Sequence, residues 1–283
     1  MKIKKLTPMS LEARLLHGNH KLLVMPDVHF DNPKCNRDLF FKLMDQAKED
    51  NAYVIFIGDF FCLMNGTGDK RRSKDGIRPE YNQGNYIDLV INDAADKLAP
   101  YAKNILFMGY GNHETSVRKW VETDVLERLV ERLNFMSEAK IQRMGYHGFC
   151  LLKFQNDKGQ NVRTKTLFWH HGAFGGQVTK GVLGVMRHGA VTPDADIIVT
   201  GHTHDNWSVK QPRYRISKNT GEVKLEDQIH LKVGTLKEEF VQEGGWAVER
   251  LVLPKSMAGW WISLNTKRSN GKAYIEISYE PTS

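Results

Sequence analysis

The sequence predicts an α/β fold. Apolar runs of strand length alternate with segments of helical period up to about residue 135, and the second half is richer in strands. Polar side chains gather directly after several of the apolar runs. Such alternation marks sheets covered by helices, and polar groups at the ends of strands mark the edge where ligands bind in sheets of this kind. The 283 residues, 41% hydrophobic and 26% charged, suffice for a core of full size. No Pro/Ser-rich linker divides the chain, so residues 1–283 are read as one domain.

The first strong strand signal is KLLVM (21–25), closed by Pro26. NRDLFFKLMDQAKED (36–50) places apolar residues at helical spacing. AYVIFIG (52–58) is a short β-branched and aromatic run ended by glycine, as in a buried strand. Residues 65–85 are polar and glycine-rich, a long loop. YIDLVINDAADKLAPYA is helical, NILFMGYGN is a strand running into a glycine turn, and SVRKWVETDVLERLVERLN predicts one amphipathic helix. FCLLKFQN and VRTKTLFWHH flank a turn at DKGQ and predict a hairpin. ADIIVTGH is a further buried strand. WSVKQPRYRISK and VKLEDQIHLKVGT predict a second hairpin, and the tail from Gly259, with Trp260 and Trp261, closes a sheet.

Five predicted strands end in carboxylate, imidazole or amide groups. Asp27 and His29 follow the first, and Asp59 the second. Asn112, His113 and Glu114 follow the third. His170 and His171 follow the fourth, and His202 and His204 the fifth. A lone Asp or His after a strand is usually a cap or a surface group. Five such ends on neighbouring strands converge on a metal site. Nitrogen and oxygen donors without thiolate suit Mn, Fe, Zn, Co or Ni. The donors are too many for one tetrahedral ion and suffice for two, about 3.5–4 Å apart, around a shared carboxylate.

In order, D-x-H (Asp27, His29), G-D (Gly58, Asp59), G-N-H-E (Gly111 to Glu114), H-G (His171, Gly172) and G-H-T-H (Gly201 to His204) resemble the motif series of the calcineurin-like metallophosphoesterases. The resemblance covers about residues 22–205 and implies a four-layer αββα sandwich of two mixed β-sheets flanked by helices, with residues 206–283 completing the sheets. It implies that Asp27, His29 and His204 hold one divalent ion, that Asn112, His171 and His202 hold the other, and that Asp59 bridges them. Manganese is the first expectation, with Fe, Zn, Ni or Co as alternatives. A hydroxide held between the ions would attack phosphorus, and His113 would be the general acid or transition-state stabiliser. Of the adjacent pair His170 and His171, the resemblance selects His171, which precedes Gly172. It also exposes a departure: relatives often carry a second acid in G-D-x-x-D that orients the histidine of G-N-H, and here that position is Cys62, with Asn65 or Asp69 as substitutes.

The motifs imply phosphoester hydrolysis and leave the substrate to other features. Lys and Arg outnumber Asp and Glu by 40 to 33, a net charge of +7, which suits a polyanion. The loop after Asp59 carries Lys70, Arg71, Arg72, Lys74 and Arg78, a clamp for phosphates. KQPRYRISK (210–218) interleaves an aromatic with arginines. A phosphodiesterase acting on nucleic acid or a nucleotide is therefore the first expectation. A phosphomonoesterase is the alternative, and a binding protein with a degenerate site the third reading. Three cysteines without a CxxC pattern, no signal-peptide segment (Glu12, Arg14 and His17 interrupt the start) and no run of the roughly 20 apolar residues that span a bilayer predict a cytoplasmic protein without membrane attachment.

Overall fold

Two mixed sheets lie face to face and place the ends of their parallel strands at one edge. In the computed structural model residues 2–63, 76–172, 179–217, 220–238, 240, 246–249 and 251–282 are described. In chain order the strands are β1 (Lys2–Thr7), β2 (Ser10–Leu16), β3 (Asn19–Met25), β4 (Tyr53–Phe56), β5 (Ile105–Gly109), β6 (Gln142–Met144), β7 (His147–Gln155), β8 (Asn161–His170), β9 (Ile197–Thr200), β10 (Trp207–Ile216), β11 (Val223–Lys232), β12 (Trp260–Ser269) and β13 (Lys272–Pro281). The helices that position them are α1 (Arg37–Glu49), α2 (Tyr86–Leu98), α3 (Asn112–Trp120), α4 (Val125–Ser137) and α5 (Gly184–Val191). One sheet has the order β13-β12-β3-β4-β5-β6, the other β1-β2-β7-β8-β9-β11-β10.

Strands β3, β4, β5 and β6 run parallel, and the tail closes that sheet as β12, antiparallel to β3, with Trp260 and Trp261 buried. In the other sheet β8, β9 and β11 are parallel neighbours. Leu22, Val24, Ile55 and Phe107 from the first sheet meet Cys150, Leu167, Trp169, Ile197 and Leu231 from the second, which is the core between them. Helices α1, α2 and α4 cover the outer face of the six-stranded sheet. Phe40, Leu43, Met44 and Ala47 of α1, at spacings of three and four, fill that second core with Val90, Ala94 and Leu98 of α2 and Leu126, Leu129 and Leu133 of α4. Each Phe, Leu, Met or Val among them contributes roughly 1.5–3 kcal/mol by leaving water.

The structure departs from the sequence expectations in three places. The segment expected as one helix after Asn112 is two, α3 and α4, separated at residues 121–124. Asp124 starts the second by accepting from the Glu127 N–H at 3.0 Å, and Glu122 adopts φ 56, so local capping outcompetes the continuous apolar period. The N-terminal residues form the β1/β2 hairpin, unforeseen because its buried apolar residues are confined to Leu11, Ala13 and Leu15 of β2, with the charged Glu12 buried among them. Finally, α5 packs on the seven-stranded sheet at β10, and the apolar layer on the outer side of that sheet is thin: Phe168, Ala195 and Ile198 form a small cluster, while Gln228, His230 and Lys232 lie buried on the outward side of β11.

Lys232, 4% exposed, has its ammonium pushed down from 10.5 to about 8 by burial. Between those two pH values the unfolded chain binds the more protons, so this residue makes stability rise with pH. Denaturant unfolding at pH 7.5 and pH 10 is expected to show a larger gain for the wild type than for Lys232→Met; equal gains would contradict it.

Candidate metal centre

The loops after β3, β4, β5, β8 and β9 meet at the shared edge. Chain geometry there is unusual in a consistent way: His29 (φ 51), Asp59 (φ 48), His202 (φ 72) and His204 (φ 59) all sit in left-handed backbone conformations. Non-glycine residues enter that region rarely and at a cost of about 1–3 kcal/mol each, and such strain concentrates where side chains must be aimed. Main-chain bonds hold the strain. The Asp59 carbonyl accepts from the N–H of both Val28 and His29, while Asp27 bonds through N–H and C=O to Gly234 and Leu236 in the segment that leaves β11. Behind the ligands Phe30 stacks on Phe60 (centroids 5.4 Å), and Phe60 meets Phe56 and Phe61 edge-on.

The side chains fall into two groups. In the first, His204 Nε2 lies 3.4 Å from His29 Nε2 and 3.4 Å from Asp27 Oδ2. In the second, His171 Nε2 lies 3.2 Å from Asp59 Oδ2 and 3.1 Å from Asn112 Oδ1, and His202 Nδ1 lies 2.8 Å from Asn112 Oδ1. Adjacent ligands about 2.1 Å from one cation are themselves about 3 Å apart, so both groups have the spacing of a coordination shell. Asp27 Oδ1, His29 Nδ1 and His171 Nδ1 are buried without any hydrogen-bond partner. The imidazole nitrogens among them are not those at coordination spacing; what fits a pair of divalent cations is the donor set itself, imidazole nitrogens with carboxylate and amide oxygens. A third grouping of His29, Cys62 and His113 is also close enough for a cation. Burial pushes the Cys62 thiol up to about 12, and its Sγ accepts from Asn32 Nδ2 at 3.3 Å.

The charges of the protein alone are in conflict. Burial, opposed by His171 and reinforced by Asp59, raises Asp27 to about 7. Burial opposes the charge of Asp59 as well, but His171 and then His113 outweigh it and hold Asp59 well below the usual carboxylate range. His171 is driven down by burial yet ends near 9 because Asp59 and Asp27 flank it. Burial lowers His29 well below its ordinary value, His202 to about 4 and His204 to about 3, which keeps these imidazoles neutral and able to donate a lone pair.

Two residues missed or underrated in the sequence organise this centre. Glu114, fully buried, accepts from the N–H groups of Gly111 (2.9 Å), Asp59 (3.2 Å) and Phe61 (2.9 Å), so one carboxylate ties the G-D turn to the G-N-H-E turn. Its place as the third residue of α3, where a carboxylate reaches back to the helix start, was the available signal. Burial raises it to about 7. Tyr146 wedges its ring between His170 and His171 (5.3 and 5.2 Å) and donates to the Gly172 carbonyl at 2.8 Å. His171 thus points into the centre, while His170 stacks with His147 on the other side.

The glycines of the motifs are steric requirements. A Cβ at Gly111 would lie 2.0 Å from Asp59 Oδ1 and 2.3 Å from its backbone N, and one at Gly58 would meet His171 Nδ1 at 2.5 Å. Gly111→Ala is therefore expected to displace Asp59, to lower stability by about 1–3 kcal/mol and to empty the second ligand group. Thermal unfolding with and without Mn²⁺ checks this: the variant should lose the metal-induced rise in Tm.

His113 is held apart from both groups' inner contacts. Its N–H donates to Asp59 Oδ1 (3.0 Å), its Nδ1 lies 2.5 Å from the Cys62 carbonyl oxygen, and its Nε2 is 3.8 Å from Asp59 Oδ2. Of the expected phosphate clamp, Lys70, Arg71, Arg72 and Lys74, like Asn65 and Asp69, lie outside the described residues. The remaining member, Arg78, is corrected by its geometry. Its Nε and Nη2 donate to the carbonyls of Asn32 and Cys35, both at 3.1 Å, so it braces the loop after His29. Tyr214 likewise does not stack between arginines: it is exposed on one face of β10, while Arg213 and Arg215 turn to the carbonyls of Pro193 and Asp194 on the other. His20, from the imitation motif at 17–20, bonds the Leu16 carbonyl and stacks on Tyr53.

A family model described as calcineurin-like phosphoesterase matches residues 20–206. Among solved structures, vacuolar protein sorting 29 from Cryptosporidium parvum aligns over 94% of this chain and 100% of its own, at 13% identity and a TM-score of 0.41. No curated protein matches the sequence.

Proposed function

The chain belongs to the calcineurin-like phosphoesterase family, and from that premise we propose that it is a metal-dependent phosphodiesterase acting on nucleic acid or a nucleotide. The observation that carries catalysis is the donor set: Asp27, His29 and His204 in one group of coordination-shell spacing and Asp59, Asn112, His171 and His202 in the other, a set in which Asp59 would be the shared carboxylate. Two divalent cations held by these donors, manganese first on nitrogen and oxygen, would supply the Lewis acidity for phosphoester hydrolysis. The chain's own part is to aim the donors. Glu114 fixes the turns that carry Asp59 and Asn112, Tyr146 fixes His171, and the left-handed residues turn their side chains inward. His113, with its Nδ1 on a carbonyl, offers Nε2 beside Asp59, where a departing oxygen would be stabilised or protonated.

The polyanionic substrate is supported by the +7 charge and by the basic run that follows Asp59 in the sequence. A cytoplasmic setting is supported by three free, buried cysteines, and no described helix is long and apolar enough to cross a membrane. The test is a substrate panel with Mn²⁺: bis-p-nitrophenyl phosphate, p-nitrophenyl phosphate and labelled single- and double-stranded DNA. Turnover of the diester and of DNA is expected. Activity on the monoester alone would replace this reading with a phosphomonoesterase, and no activity on any substrate would sink the enzymatic reading.

A further inference from the structure

We infer that Asp31 is a positioning residue for His113 and acts through the peptide group joining Cys62 to Leu63. The inference rests on the proposed hydrolysis and concerns how this chain replaces the acid absent at position 62. The Cys62 carbonyl can only accept, so the 2.5 Å contact assigns a proton to His113 Nδ1 and turns Nε2 to the reaction side, where the doubly protonated ring would pass its Nε2 proton to the leaving oxygen and keep the one on Nδ1. The N–H at the other end of that same peptide, Leu63 N–H, donates to Asp31 Oδ2 at 2.9 Å. The order is therefore carboxylate, peptide N–H, peptide C=O, imidazole N–H. Hydrogen bonds in series polarise one another, so a negative charge on Asp31 makes the Cys62 oxygen a stronger acceptor.

The carboxylate is built to stay in place. Asp31 is fully buried and takes two further donors: Cys62 N–H on Oδ1 at 2.5 Å and the Tyr86 hydroxyl of α2 on Oδ2 at 2.5 Å. Three donors fix the orientation of both carboxylate oxygens. Two successive N–H groups, of Cys62 and Leu63, thus converge on one carboxylate. Asn32 donates to Cys62 Sγ at 3.3 Å. The acid thus lies upstream, two residues after His29, and not in the G-D motif.

The test uses the full chain loaded with Mn²⁺ and a series of aryl phosphodiesters with leaving groups from p-nitrophenol to phenol. In Asp31→Asn, kcat for the phenol ester is expected to fall about 10- to 100-fold and for the nitrophenol ester by no more than about threefold, with KM and bound metal unchanged. Tyr86→Phe, which leaves the carboxylate but removes one donor, should show the same leaving-group trend at smaller amplitude. In a His113→Ala background Asp31→Asn should add nothing. Nitrogen NMR of His113 should read the Nδ1–H tautomer in the wild type and a mixture in Asp31→Asn. An equal loss for every leaving group, a loss that adds to that of His113→Ala, or an unchanged tautomer would overturn the inference. If the wild type cleaves no ester, the proposed function fails instead, and the tautomer measurement, which needs no substrate, still decides the role of Asp31.

Discussion

Asp59→Asn is expected to release metal from both ligand groups and to abolish turnover. Asp59 Oδ2 lies 3.2 Å from His171 Nε2 in the second group, and its carbonyl accepts from Val28 and His29 N–H beneath the first. Its carboxylate is also the one in the centre held ionised without any metal, below the usual range despite burial. An amide keeps the shape and removes the charge that two cations would share. Partners that merely orient a metal ligand cost about 10- to 100-fold in affinity when lost, so a shared charged ligand should cost at least ~100-fold. Equilibrium dialysis against Mn²⁺ measures this directly. Retention of wild-type metal by Asp59→Asn would show that Asp59 is not shared.

His113→Ala is expected to do the opposite: both ions stay and kcat falls by about 10²- to 10⁴-fold. The reasoning is geometric. His113 Nδ1 is committed to the Cys62 carbonyl, and Nε2 stands 3.8 Å from Asp59 Oδ2, whereas the pairs assigned to coordination lie at 2.8–3.4 Å. The backbone N–H of residue 113 still caps Asp59 Oδ1 after the substitution, so the ligand shell keeps its support. Loss of metal along with turnover would make His113 a ligand and would revive the grouping with His29.

The framework was legible because its signals are local. AYVIFIG and ADIIVTG are β-branched runs ended by glycine, and in the structure β4 and β9 end just before Asp59 and His202. The ligand types stood at those ends in family order, and the glycines between them are explained by contacts such as Gly111 against Asp59. What stayed hidden depends on contacts distant in sequence. Nothing local shows that Glu114 gathers N–H groups from the turn at 59–61, or that Asp31 reaches residues 62 and 63. Arg78 illustrates the converse: a basic residue in a basic loop reads as a phosphate contact until its guanidinium is found on two carbonyls. The division of α3 from α4 was hidden because an amphipathic period runs straight through Asp124, whose capping role depends on its conformation.

The most direct measurement is Mn²⁺ titration of the metal-free protein, following bound ions per chain and hydrolysis of bis-p-nitrophenyl phosphate together. Two ligand groups sharing one carboxylate predict that activity rises with occupancy and saturates at two ions per chain. Full activity at one ion per chain, or hydrolysis by the metal-free protein, would contradict a dinuclear centre built on Asp59.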